Sequence, residues 1–233
     1  TNVVWSNSKN ANALTGRKGI ADIDTLFSQL DFDSLKLVNP IMSSTGVIGN
    51  RLPMEKLVAG AKRFNLSAKN AENLSKAIMT TDAYAKSCMY EVKREDGSSF
   101  KIGAVAKGAG MINPNLATML CFICTDDAAP YADIMEALKV NSETTFNAIS
   151  VDGDTSTNDT VMVLSNGNSK AYDKEAFIEV LRLVMHDMAM LMVADGEGAK
   201  KVAAFEVINA VSNEQAMIAA KALSNSLLVK TAL

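Results

Sequence analysis

The histidine content of the chain restricts the chemistry that it could perform. His186 is the single histidine among 233 residues, so a Ser-His-Asp or Cys-His centre could only be built around it. A multi-histidine zinc site is excluded on the same ground. His186 also lies in a methionine-rich apolar stretch (183–191) that is typical of a packed helix. Nucleophilic chemistry therefore needs a base other than histidine.

A threonine supplies its own base when backbone cleavage frees its α-amino group, because that amine is covalently fixed near the hydroxyl. A free α-amino group has a pKa of about 8, which suits general-base catalysis near neutral pH. Thr118 fits this pattern, since it follows the small residue Ala117 and opens an apolar run over 118–125. The approach to it, residues 107–115, contains the glycines and the proline of a shaped turn. From these residues alone, a plain junction between a loop and a strand remains the commoner explanation.

Two other motifs have the spacing of functional sites. Cys121 and Cys124 are spaced like redox or metal ligands, but they lie in a strand-like run, and only Cys88 and His186 could complete a metal site. We therefore interpret them as residues of a core strand. Residues 103–108 (GAVAKG) have the glycine spacing of a phosphate-binding loop but lack the Lys-Ser/Thr that should follow.

An acidic stretch over residues 152–158 (DGDTSTN) matches the first three ligand positions of a calcium loop. Thr157 stands at the sixth position, where glycine is needed, and Val163 stands at the twelfth, where a chelating side chain is needed. The sequence instead predicts a turn held by side-chain hydrogen bonds, and no metal site.

Composition indicates a globular protein without a nucleic-acid or membrane partner. Hydrophobic residues make up 48% of the chain and charged residues 21%, and the net charge is −3 with no basic block. Three cysteines favour a reducing compartment. No apolar run approaches the length of a membrane span, so we expect a soluble, cytoplasmic protein. The missing initiator methionine and the apolar end over 227–233 predict a segment of a longer protein.

Hydrophobic periodicity predicts a mixture of helices and strands in packed layers. Asp96-Gly97 predicts a hairpin turn, and Ser212 with Gln215 predicts a helix start. The last run, 227–233, is strand-like. Helices are predicted over 20–30, 53–64, 68–79, 131–140, 174–193 and 212–225, and strands over 35–42, 88–94, 99–105, 118–125, 148–151, 161–164 and 199–211.

Four motifs give the chain a specific family resemblance. They are 7–16 (NSKNANALTG), 44–49 (STGVIG), 107–120 (KGAGMINPNLATML) and 150–159 (SVDGDTSTND). In this order and over essentially the whole chain, they resemble the ornithine acetyltransferase (glutamate N-acetyltransferase) family of arginine biosynthesis. The resemblance implies an α/β fold, a four-layer α/β/β/α sandwich layered like the N-terminal-nucleophile hydrolases but distinct in topology.

The resemblance also implies roles for individual residues. The precursor would cleave itself between Ala117 and Thr118, giving an alpha-chain portion (1–117) and a beta-chain portion (118–233) of one folded unit. Thr118 would then be the nucleophile. Thr45 and Gly46 would form the oxyanion hole, where a hydroxyl and a backbone N–H suit the developing charge.

Substrate binding carries over to Thr80, Lys107, Thr118 and Glu197. A lysine suits a carboxylate and a glutamate suits an ammonium group of an amino-acid substrate. Thr81 is the alternative to Thr80 if the register of the match shifts by one residue.

The implied reaction moves acetyl from N-acetylornithine to glutamate through acetyl-Thr118, with no cofactor or metal. Whether acetyl-CoA is a second donor stays open. The expected assembly is a heterotetramer of two alpha and two beta chains. Two alternatives remain: an aminopeptidase or amidohydrolase of the same fold, in which water accepts the acyl group, and an inactive truncated fragment.

Overall fold

The structure is a computed structural model that describes residues 1–30, 35–113, 119–170 and 172–233. The chain divides into two compact units, Thr1–Thr80 and Thr81–Leu233. Each unit has a core of its own.

The first unit combines a short parallel strand pair with helices. Strand β1 (Val4–Asn7) pairs in parallel with β2 (Ile41–Ser44), and helix α1 (Gly16–Gln29) lies between them in sequence. Helices α2 (Met54–Ala61) and α3 (Ala71–Ala77) follow. The core of this unit is formed by buried apolar side chains from β1, α1 and α2, namely Trp5, Leu26, Leu30 and Ala61.

The second unit is organised on a four-stranded sheet in the order β3-β4-β5-β6. Strands β3 (Lys86–Lys93) and β4 (Ser99–Lys107) form an antiparallel hairpin. Gly97 in its turn has φ +83°, a left-handed conformation that glycine adopts without steric cost. Strand β5 (Leu120–Thr125) pairs antiparallel with β4 and parallel with β6 (Thr160–Ser165).

Helices cover one face of this sheet. The long helix α5 (Lys174–Ala194) packs on β3 and β4, and helix α4 (Tyr131–Thr144) packs on α5. The Asp173 side chain caps α5 by accepting a hydrogen bond from Ala176 N–H at 3.0 Å. A single 3₁₀ turn (Phe146–Ala148) follows α4, and two helices, α6 (Asn213–Asn225) and α7 (Leu227–Ala232), end the chain.

The α/β class predicted from the sequence is confirmed. The second unit shows a helical layer on a sheet, and β5 is buried on both faces, since Leu120, Cys121, Phe122 and Ile123 are all at most 5% exposed. A strand with apolar side chains on both faces lies between two layers. The hairpin, the position of α5 and the Ser212 cap, which accepts a hydrogen bond from Gln215 N–H at 3.2 Å, also agree with the predictions.

Three predicted strands are wrong. All of residues 199–211 are described, and none lies in a strand. Residues 148–151 form the end of the 3₁₀ turn and an irregular segment, and the run 227–233 is mostly helix α7. A strand needs a partner to satisfy its backbone groups, whereas a helix satisfies them within itself, so an apolar run alone does not define a strand. The strand predicted over 35–42 is displaced and begins only at Ile41.

None of the helices in the described parts of the chain is both long and apolar enough to cross a membrane.

Candidate functional site

Lys107, a predicted substrate ligand, lies at the end of strand β4 and begins the third motif (107–120). Lys107 is the last residue of β4 and is only 3% exposed. Burial and the positive charge of Lys86 lower its pKa, whereas the carboxylates of Asp82, Asp159 and Glu197 act in the opposite direction by favouring its charged form. Lys107 is thus a buried amine surrounded by acidic side chains, which is an arrangement suited to a charged ligand.

Glu197 contacts the segment that follows Lys107 in the sequence, at Ala109 and Gly110. Its backbone N–H donates to Ala109 O at 2.8 Å, and a Cβ on Gly110 would lie 2.5 Å from Oε1 of Glu197. Glycine is therefore needed at position 110 for the close approach of the carboxylate. The structure brings together Lys107 and Glu197, which are separated by 90 positions in the sequence (197 − 107).

A buried ionic network positions the same segments, and sequence reasoning missed it. Nζ of Lys86 lies 2.8 Å from Oδ1 of Asp82 and 2.5 Å from Oδ2 of Asp195, and all three side chains are at most 3% exposed. Asp82 also accepts from Gly108 N–H at 2.7 Å. Asp195 accepts from Ala83 N–H at 3.0 Å.

This network lies next in sequence to predicted ligands on two segments. Gly108 follows Lys107, and Asp195 precedes Glu197 by two residues. The signal that could have revealed the network is strand alternation, because Lys86 shares the inward face of β3 with Cys88 and Tyr90. A charged residue on an inward face requires a buried partner.

Asp159 immediately precedes β6 and lies against Met119, which immediately precedes β5. Its Oδ1 accepts a hydrogen bond from Met119 N–H at 2.6 Å. Burial raises the pKa of Asp159 to about 7, with the Met119 hydrogen bond and the Lys107 charge acting against that increase. A carboxyl group whose pKa lies near neutral pH therefore accepts a hydrogen bond from Met119, the residue that follows Thr118 in the sequence. Asp159 belongs to the fourth motif (150–159), which by itself indicates no role for it.

The predicted oxyanion residues form a tightly held turn in the first unit. Thr45 is 4% exposed, and its N–H donates to Asn7 O at 3.0 Å. Gly46 has φ +131°, and a Cβ there would overlap the backbone of Lys9, so only glycine fits. Val47 N–H donates to Lys9 O at 2.9 Å. Within the described residues, the intervening N–H of Gly46 has no hydrogen-bond acceptor, as an oxyanion donor requires.

Three predicted site residues remain: Thr80, Ala117 and Thr118. Thr80 is exposed and is the last residue of the first unit. Ala117 and Thr118 lie outside the described residues. The predicted nucleophile and cleavage position therefore stay predictions.

Among the described residues, the cysteines and His186 do not come together in a redox or metal site. Cys121 is fully buried in β5, as predicted for a core strand, whereas Cys124 is exposed. Burial raises the thiol pKa of Cys121, which disfavours the reactive thiolate. His186 lies on α5 with its side chain 52% exposed. Residues 103–107 are part of strand β4, so they form no phosphate-binding loop. Across the described ranges, no group of three or more potential metal ligands comes together.

Known proteins resemble the chain over its whole length. A model of the ArgJ family matches residues 1–233. The arginine biosynthesis bifunctional protein ArgJ of Wolinella succinogenes is 56% identical over 232 residues, which cover 100% of this chain and 59% of that protein. The glutamate N-acetyltransferase of Methanothermobacter thermautotrophicus is 41% identical over 235 residues, covering 99% and 58% respectively.

Among solved structures, ArgJ from Bacillus halodurans matches with 33% identity and a TM-score of 0.44, covering 50% of this chain and 61% of that chain. The matched proteins are named as enzymes of arginine biosynthesis and acetyl transfer. This chain belongs to the ArgJ family, and the family resemblance predicted from the four motifs is confirmed. The chain spans about three fifths of the length of the curated relatives it matches.

Proposed function

We propose that the protein to which this chain belongs is a glutamate N-acetyltransferase of arginine biosynthesis that matures by self-cleavage between Ala117 and Thr118. The observation that carries the proposal is the meeting of Lys107 and Glu197 in a chain that matches the ArgJ family throughout. A buried amine close to an acidic side chain provides complementary charges for a substrate with both a carboxylate and an ammonium group.

Maturation proceeds by an acyl shift and hydrolysis. The Thr118 hydroxyl adds to the carbonyl carbon of Ala117, the C–N bond breaks, and the hydroxyl proton ends on the Thr118 nitrogen. Water then hydrolyses the ester. The products are the Ala117 carboxylate and a Thr118 with a free α-amino group, which acts as the general base of the mature enzyme.

Acetyl transfer takes place in two halves at the same hydroxyl. Thr118 attacks the acetyl carbon of N-acetylornithine, the amide C–N bond breaks, and ornithine leaves with the proton from the α-amino base. The amine of glutamate then attacks acetyl-Thr118 and gives N-acetylglutamate. Thr45 and Gly46 donate to the oxyanion in both halves, while Lys107, Glu197 and Thr80 bind the substrate.

The same proposal covers assembly and location. The two products of cleavage stay together, and two such pairs form a heterotetramer in the cytoplasm. No metal or cofactor takes part, and acetyl-CoA is an alternative acetyl donor only if the full-length protein binds it.

The test has two arms. Intact-mass analysis of the full-length protein should show two pieces for wild type and one for Thr118→Ala. With the cut protein, varying N-acetylornithine and glutamate should give parallel double-reciprocal lines, as a covalent intermediate requires. Intersecting lines, or release of free acetate at the same rate without glutamate, would contradict the transferase mechanism and favour a hydrolase.

A further inference from the structure

The acidic loop over residues 150–160 resembles a calcium loop in sequence, but its side chains serve another purpose. Asp152 accepts hydrogen bonds from Met111 N–H at 2.5 Å and Ile112 N–H at 3.0 Å. It also accepts from Asp154 N–H at 3.0 Å, which closes the predicted side-chain turn. The carboxylate therefore joins its own loop to the segment that leads towards the proposed cleavage position.

Further hydrogen bonds join the same two segments. Val151 N–H donates to Ile112 O at 2.6 Å. The Asn113 side chain donates to Gly153 O at 3.1 Å, and the Thr155 hydroxyl donates to Asn113 O at 3.3 Å. Met111 has φ +52°, a conformation that a side-chain-bearing residue adopts only when its surroundings enforce it. Three consecutive residues, 111–113, are thus fixed to the loop.

The far end of the loop holds the other side of the cleavage segment. Oδ1 of Asp159 accepts from Met119 N–H at 2.6 Å, and Thr160 N–H donates to Met119 O at 2.8 Å. Met119 is bonded directly to Thr118. These two hydrogen bonds therefore fix the chain at Met119, the first described residue after the proposed cleavage position.

Asp159 has a feature that a plain structural hydrogen bond does not need. Its second oxygen, Oδ2, is buried, and no donor reaches it from the described residues. Lys107, the last residue of β4, lies close enough for its charge to favour the ionised form of Asp159. Leaving a carboxylate oxygen buried without a donor costs free energy, and such costs persist where a site requires the group.

We propose that Asp152 and Asp159 are positioning residues for self-cleavage, because the loop that carries them fixes both ends of the segment containing Ala117 and Thr118. The inference rests on the proposed function, since it assumes cleavage at that bond. An acyl shift requires the hydroxyl to lie against the preceding carbonyl, and restraining both ends of a short segment raises the fraction of the chain in that geometry.

The experiment measures the rate of self-cleavage after cell-free synthesis of the full-length protein, by intact mass against time. Asp159→Ala and Asp152→Ala should each slow cleavage by about tenfold or more, the effect expected from losing the hydrogen bonds that hold the flanking backbone N–H groups. Asp159→Asn keeps an acceptor for Met119 N–H and should cleave within about threefold of wild type.

Asp154→Ala is the matched control. It removes the same charge from the same loop, but the Asp154 side chain is exposed and makes no hydrogen bond or ion pair with any part of the chain that is described. It should cleave at the wild-type rate. The variants are compared at a temperature well below their Tm, so that a loss of global stability does not change the rate.

A second readout detects the restraint without cleavage. In the uncut Thr118→Ala protein, Asp159→Ala should accelerate hydrogen exchange of the Met119 amide, and Asp152→Ala should accelerate exchange at Met111 and Ile112. Exchange within α5 should stay unchanged. This measurement also serves if Asp159→Ala folds poorly, because Asp152 lies in an exposed loop.

Each outcome decides the question. If wild type remains uncut, the proposed maturation fails and this inference fails with it. If wild type is cut but both alanine variants are cut at the same rate, or if Asp154→Ala slows cleavage equally, the inference alone is overturned. Slow cleavage in the two alanine variants, with rescue by Asp159→Asn and faster exchange at the restrained amides, supports it.

Discussion

Charge separates the roles of the predicted site residues. Lys107 and Glu197 carry the groups that attract an ionic substrate before chemistry begins. Thr45 contributes a neutral hydroxyl and lies beside a Gly46 N–H that has no acceptor within the described residues. A neutral donor gains most when the oxyanion forms, so it acts on the transition state rather than on the bound substrate.

In full-length protein already shown to be cut, Thr45→Ala should lower kcat by about 10²-fold and leave KM nearly unchanged, because an oxyanion donor is lost. Thr45→Ser keeps the hydroxyl and is the matched control. Lys107→Met and Glu197→Gln should mainly raise KM, since they remove charges that bind the ground state. Steady-state kinetics with N-acetylornithine decide the matter, and a raised KM with normal kcat in Thr45→Ala would show that Thr45 only shapes the turn.

Asp159 should make stability depend on pH. Its folded-state pKa is about 7, whereas an unfolded Asp has a pKa of about 3.9. The folded state therefore holds a proton that the unfolded state releases, and the free energy of unfolding should fall as pH rises from about 4 to about 7 and stay level above that range. The Met119 hydrogen bond and the charge of Lys107 limit the shift by favouring the carboxylate.

The measurement is urea unfolding at several pH values in the uncut Thr118→Ala protein, with and without Asp159→Asn. Asparagine does not titrate, so the stability of the Asn variant relative to its parent should increase as pH rises from about 4 to about 7. A difference that stays constant across this range would mean that Asp159 titrates normally in the folded protein.

At the level of elements, the ends of β4 and α5 are tied together by the Lys86 network. Lys86 is fully buried and bridges Asp82 and Asp195, and these carboxylates hold Gly108 and Ala83 through their backbone N–H groups. Buried ion pairs contribute little net stability when complete but are costly when broken, because an unpaired charge remains.

Lys86→Met should therefore lower the free energy of unfolding by about 3–5 kcal/mol. Adding Asp82→Asn and Asp195→Asn should restore part of that loss by removing the stranded carboxylates. Lys76→Met breaks the exposed pair with Glu72 and should cost no more than about 1 kcal/mol. Denaturant unfolding measures all of these values, and equal losses in the Lys86 and Lys76 variants would contradict a buried network.

At the scale of the whole molecule, two strands that pair with each other flank the proposed cleavage position in the sequence. Strand β4 precedes it and β5 follows it, with register from Ile102 opposite Thr125 to Lys107 opposite Leu120. The two products of cleavage would therefore each contribute strands to one sheet. The core beneath that sheet also draws on both products, since it includes Phe100 and Ile102 of β4 together with Phe177 and Leu181 of α5.

The cut protein should consequently remain one particle. Size-exclusion chromatography of cleaved wild type should elute both pieces together, at the volume of uncut Thr118→Ala. Separation should require denaturant, because pulling the pieces apart exposes the sheet and its core. Two peaks under native conditions would show that cleavage releases the beta-chain portion.

The amino-acid sequence by itself determined the family, through motifs whose residue types and order survive without coordinates. It also determined the elements whose hydrogen bonds are local or whose turns have a chemical signature. Helix α5, the hairpin at Gly97 and the Ser212 helix start are of this kind. Local interactions depend on near neighbours in sequence, so the pattern contains the information needed to predict them.

Only the tertiary structure decided the features that depend on distant partners. The apolar run 199–211 has the composition of a strand, but no strand of the described chain pairs with it, and Val211 is 90% exposed. Lys86 between Asp82 and Asp195, and Asp159 against Met119, are likewise contacts between segments far apart or folded back on each other. Strand pairing and buried charges depend on which segments meet, and that information belongs to the packing of the whole fold rather than to any stretch of sequence.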